Sequence, residues 1–90
     1  MGERPRNHIG AKVRQLRDGK GLSQADFAAK CQARGWDISR DIVAAIEGQI
    51  RCVTDSEVVI LATILGVPPA SLLPAAPIAF AAMPPLRKKK

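Results

Sequence analysis

SQADFAAKCQARGWDISRDIVAAIEG, residues 23–48, decides the fold. It holds two helical patterns joined by a short connector. In the first, Ser23 is an N-cap type residue with Asp26 three positions on, and Phe27, Ala28 and Cys31 recur at the spacing of one buried face. Gly35 stops it. The second begins at Ser39, carries Asp41 in its first turn, where the macrodipole favours a negative charge, and buries Val43 and Ile46.

The flanks supply further helices. In IGAKVRQLRDGKG, residues 9–21, Ile9, Val13 and Leu16 keep helical spacing while Lys12, Arg14, Arg17 and Lys20 fall on other faces, and Gly19 and Gly21 provide a stop. In TDSEVVILATILG, residues 54–66, Thr54 and Glu57 form a capping box ahead of a core face of Val58, Leu61, Ala62 and Leu65, and Gly66 closes the helix. PPASLL, residues 68–73, reads as one final turn or short helix with Leu72 and Leu73 packing inward.

A chain of 90 residues is one domain with a single modest core. Phe27, Trp36 and Phe80 are its only aromatics, so the core is aliphatic. Pro5 precedes the first helix and the other six prolines lie in the last third, leaving the middle free for helices. The expectation is an all-α bundle of four to five helices. Residues 1–7 form an N-terminal arm, 8–73 the domain, and 74–90 a Pro/Ala-rich tail with a basic end. The tail's apolar centre, Ile78 to Met83, either packs on the domain, covers a partner protein or stays loose.

The net charge of +6 sits at the ends. Residues 1–20 carry six basic and two acidic side chains, residues 21–86 four and six, and Arg87 to Lys90 four basic. Basic ends suit a polyanionic partner, nucleic acid or an anionic surface, and a solvated tail equally explains the last three lysines. Cys31 and Cys52 are too few for a disulfide scaffold, and with His8 the single histidine there is no four-ligand zinc set. Nothing in the pattern activates a nucleophile or cradles a cofactor, so neither an enzyme nor a cofactor is expected. The longest apolar run, VVILATILGV, is too short to span a bilayer, and a cytoplasmic protein is expected.

The pieces IG..VR.LR...GLSQ..FA (from Ile9), ISR....IE (Ile38 to Glu47) and VTDSE...LA..LGV (Val53 to Val67) together resemble the Cro and phage-repressor type, or XRE, helix-turn-helix family over residues 8–73. The resemblance implies a lambda-repressor-like bundle that binds specific duplex DNA as a homodimer, often as a repressor. Two departures stand out. KCQARGWDIS makes the path from helix two to helix three about five residues longer than the common form, and Gln49 occupies the place where the family usually has a glycine after helix three.

Carried over residue by residue, the groove-facing positions are Gln24, Ser39, Arg40, Asp41, Ala44 and Ala45. Arg40 alone can take a bidentate guanine contact, Gln24 can reach a phosphate or an adenine, and the alanines can touch a thymine methyl. Asp41 either accepts from a cytosine amino group or, more ordinarily, compensates the helix dipole and pairs with Arg40. Phosphate contacts fall to Lys12, Arg14, Arg51 and the helix terminus at Ser23. The resemblance puts Arg17 against Glu47 as a partly buried structural pair, and Trp36 is read as core, closing the connector. A DNA-binding regulator therefore leads, with an antitoxin-like module that binds a partner protein through the apolar tail as the alternative. A peripheral membrane role lacks the amphipathic basic helix it would need.

Overall fold

A computed structural model describes residues 4–76, 78 and 79 of the chain. Four α-helices form among them, α1 (Gly10–Gly19), α2 (Gln24–Ala33), α3 (Arg40–Glu47) and α4 (Asp55–Leu65), followed by a 3₁₀ turn, Pro69–Leu72. The described residues contain no strand. Each helix starts where a side chain can take its free N–H groups. Ser23 with Asp26 and Thr54 with Glu57 close reciprocal capping boxes, and Ser39 Oγ accepts from Ile42 N–H. α1 differs: Ile9, at its N-cap position, has no capping side chain, and Asn7 Oδ1 instead accepts from Ile9 N–H at 3.1 Å and Gly10 N–H at 2.8 Å.

The four helices share one kind of ending. In each, two successive N–H groups beyond the last turn fold back onto helix carbonyls around a residue of positive φ, as in Gly35 N–H to Gln32 O and Trp36 N–H to Cys31 O. Gly21, Gly35 and Gly66 serve three of them, and Gln49, at φ 62°, serves α3. The missing glycine after helix three thus leaves the turn unchanged and puts a glutamine in the left-handed region. The longer path between α2 and α3 is taken up by the connector Arg34–Ser39. There Trp36 packs against the core, and Gln32 Nε2 donates to Ile38 O at 2.7 Å.

α3 packs on α1 and α2, and α4 on α1, α2 and the 3₁₀ turn. Phe27, Ile46, Leu61, Leu65, Leu72, Val13, Val43 and Cys31 fill the centre. Burial pushes the Cys31 thiol up to about 11, so it packs as a protonated apolar group. One inward assignment fails: Leu72 is buried, but Leu73 is 54 % exposed, because the 3₁₀ turn ends at Leu72 and the extended backbone at Leu73 sends successive side chains to opposite sides.

The expected boundary at residue 7 falls inside a hydrogen-bonded junction. Asn7 is buried and uses its whole amide, since Nδ2 also donates to Ile46 O at 3.1 Å and to Arg51 O at 2.8 Å. Arg6 N–H donates to Gln49 O at 2.8 Å, and Gln49 Nε2 donates to Asn7 O at 3.1 Å. The segment entering α1 is thereby fastened to the turn leaving α3. Residues 1–3 of the arm, the tail's apolar centre beyond Ala79 and its basic end Arg87 to Lys90 lie outside the described residues.

Candidate nucleic-acid interface

The C-terminal half of α3 is locked. Arg17 and Glu47 are both buried, and the guanidinium grips the carboxylate with two bonds, Nε to Oε2 at 2.6 Å and Nη2 to Oε1 at 3.0 Å. Arg17 Nη1 donates to Leu22 O at 2.7 Å and lies 3.2 Å from Asp18 Oδ1, so each of the three guanidinium nitrogens has a partner. Hydrogen bonding to Glu47 raises the Arg17 pKa above its ordinary value, against a smaller opposing effect of burial. A buried pair of this kind is indifferent against an apolar replacement of both partners but costly to break on one side. Gly10 completes the lock, because a Cβ there would overlap Ile46 O and come within 2.9 Å of Glu47 O, so α1 and α3 touch backbone to backbone.

Gln24, the first residue of α2, is drawn into the same cluster: its Nε2 donates to Glu47 Oε1 at 3.0 Å. One amide N–H and the carbonyl oxygen remain for a partner outside. Ser23 spends its oxygen lone pair on Asp26 N–H at 2.9 Å, and its hydroxyl proton remains free to donate.

The N-terminal half of α3 is presented to solvent. The Arg40 side chain is 59 % exposed and that of Asp41 91 %, and they meet only each other, Arg40 Nη1 donating to Asp41 Oδ1 at 3.0 Å. Ser39 caps the helix beside them and is exposed. Ala44 and Ala45 are half-buried, so α3 carries no bulk on that stretch that would hold a partner away.

The expected phosphate-binding cations are not gathered in one place. Arg14 stands four residues after Gly10 on the side of α1 nearest α3 and lies 3.9 Å from Asp18 across an exposed pair. Lys12 is on the opposite flank of α1, where it lines a concavity with Ser71 and Leu73. Arg51 is half-buried and committed to Glu57, with Nη1 to Oε1 at 3.0 Å and Nη2 to Oε2 at 3.1 Å. That pair, chiefly through the Arg51 hydrogen bond, holds the Glu57 carboxyl below the usual range while Glu57 also caps α4.

Sequence reasoning missed Asn7, the clasp between Gln24 and Glu47, and the pairing of Arg51 with Glu57. Asn7 left a signal, being a capping-type residue three positions before the first helical residue. The other two depend on side chains meeting across turns and carry no local mark.

The helix-turn-helix family model matches residues 13–72. Among solved structures, the DNA-binding domain of BldD is 35% identical over 82% of this chain and 100% of that one, with a TM-score of 0.66. The restriction-modification controller protein C.AhdI from Aeromonas hydrophila is 32% identical over 72% of this chain and 87% of that one, with a TM-score of 0.63. The hypothetical transcription factor NHTF from Neisseria is 28% identical over 83% and 87%, with a TM-score of 0.65. No curated protein sequence matches the chain.

Proposed function

The chain belongs to the XRE-type helix-turn-helix family of DNA-binding transcription regulators, and from that premise we propose that it is a sequence-specific repressor acting as a homodimer. The observation that carries the proposal is the construction of α3: a locked C-terminal half and an exposed N-terminal half whose only strong donor is Arg40. An α-helix fits the major groove, and Arg40 would give up Asp41 for the O6 and N7 edge of a guanine. Ala44 and Ala45 let the helix approach, and Gln24, anchored by Glu47, offers its free oxygen and N–H to a base or the backbone. Ser23 and Arg14 supply phosphate contacts near α2 and α1. Lys12 and Arg51 are the weaker candidates, one for its position and the other for its bond to Glu57.

Dimerisation is supported by the outer face of α4. Val59 is 51 % exposed, and Ile60, Thr63 and Ile64 continue along a helix whose only charges are Asp55 and Glu57 in its first turn, with Lys30 and Arg34 of α2 beside Thr63 and Ile64. Such a face is suited to a second copy. Repression then needs only occupancy of a promoter. The restriction-modification controller C.AhdI and the hypothetical transcription factor NHTF, both similar in structure, are named for roles of this kind. Exposed Leu73 and Ile78 favour the second reading, a partner protein covering the start of the tail.

Selection from a random duplex pool, followed by footprinting and sedimentation of the complex, tests the proposal. A two-fold site with half-sites about 34 Å apart, bound by two copies, is the expected result. One copy protecting a single asymmetric half-site would overturn the dimer, and no enrichment of any sequence would overturn specific binding.

A further inference from the structure

Four arginines around α3 already have carboxylate partners: Arg17 with Glu47, Arg51 with Glu57, Arg40 with Asp41 and Arg14 with Asp18. Among the described residues, Arg4 and Arg6 have none within ion-pair distance. Their backbone is nonetheless held. Arg6 N–H is bonded to Gln49 O, Asn7 O accepts from Gln49 Nε2, and the Asn7 side chain is bonded to Ile46 O and Arg51 O. Pro5, between the two arginines, fixes one backbone angle of the segment.

Arg4, Pro5 and Arg6 form one wall, and Gly48, Gln49 and Ile50 the other, of an open concavity of about 460 Å³. None of the described residues that line it is a carboxylate. Gly48 contributes no side chain, and Ile50, at the rim, is 73 % exposed, the most exposed large apolar residue described. Two cations beside a bare aliphatic group suit an occupant that alternates anionic and apolar faces, as a sugar–phosphate backbone does. The concavity stands at the opposite end of α3 from Arg40, about 10 Å along the helix axis.

We propose that Arg4 and Arg6, carried on a segment fastened to the turn after α3, clamp the backbone of duplex DNA beside the base pairs that the N-terminus of α3 faces, with Ile50 against a deoxyribose. This rests on the DNA-binding reading above. The clamp carries no base information, and it adds two phosphate contacts where α3 itself has no unpaired cation.

The test compares the full-length protein with its R4Q/R6Q and R4K/R6K variants by fluorescence anisotropy, on the selected operator and on a random duplex, between 50 and 200 mM salt. Each neutralised phosphate contributes about 0.9 to the slope of log affinity against log salt, so R4Q/R6Q lowers the slope by about two and weakens both duplexes by the same factor. R4K/R6K keeps the slope. Urea unfolding stays unchanged, because the bonds that fasten the segment come from its backbone and from Asn7. Unchanged slope and affinity in R4Q/R6Q, with the unaltered protein binding duplex normally, overturns the clamp alone, as does a loss confined to the operator. A variant that keeps its DNA slope but loses binding to phosphatidylserine vesicles assigns the concavity to a membrane surface and also overturns it. Failure of the unaltered protein to bind any duplex overturns the DNA-binding reading, and the clamp with it.

Discussion

At its N-terminus α3 shows Ser39, Arg40 and Asp41 to solvent, with little among them beyond a cap and one exposed ion pair. At its C-terminus Glu47 is buried against Arg17 and Gln24, Ile46 O is bonded to Asn7, and the backbone of α1 lies on its carbonyls at Gly10. The helix is only eight residues long, so the orientation set at one end is transmitted rigidly to the other. Under the proposed function, stability and recognition are thereby divided along a single element. Changes at the anchored end should move the unfolding transition, and changes at the presented end should move the choice of sequence.

The largest effect expected is at Gly10. Gly10→Ala gains a little helix propensity but drives a methyl into Ile46 O, and backbone on both sides cannot give way as a side chain could. Loss of about 3 kcal/mol in urea unfolding, the upper end of what overpacking costs, is expected. A neutral result would mean that α1 and α3 are not in backbone contact, and the anchored end would lose its main constraint.

Arg17→Met comes next. It leaves Glu47 buried with only the Gln24 bond and should cost about 3 kcal/mol. DNA affinity measured well below the melting range should fall much less, since neither side chain is free to reach a groove. An Arg17→Met, Glu47→Leu pair should recover much of the loss. If it does not, the buried pair contributes beyond its own satisfaction.

A smaller effect isolates the turn after α3. Gln49→Ala and Gln49→Gly both remove the bond to Asn7 O, but only glycine relieves the backbone at φ 62°. The glycine variant should therefore be the more stable of the two by about 1 kcal/mol in urea unfolding. Equal stabilities would contradict the left-handed conformation.

The same division explains what could be read from the sequence. Both capping boxes, the start of α3 at Ser39 and the glycine stops at Gly21, Gly35 and Gly66 are local, written within a few residues, and the four helices follow from them. The anchoring of Asn7 is not legible locally, because its partners lie 39 and 44 residues away. The sequence shows Glu57 as the α4 cap and leaves Arg51 without an evident partner, whereas one carboxylate serves both. Lys12 and Arg14 looked equivalent until the packing of α1 put them on different flanks. At the presented end, an exposed side chain makes few contacts in the protein alone, so Arg40 and Asp41 were named from family position and from the donor chemistry of arginine.

Arg40→Ala tests the presented end of α3 most directly, measured by competition between the selected operator and its single-base variants, with thermal unfolding followed on the same samples. The predicted result is a loss of about 1 to 3 kcal/mol on the operator, relaxed preference at one base pair, far less loss on random duplex, and an unfolding midpoint that does not move. Equal weakening on every duplex, or a lowered midpoint with base preference intact, would contradict the division of α3 into an anchored end and a reading end.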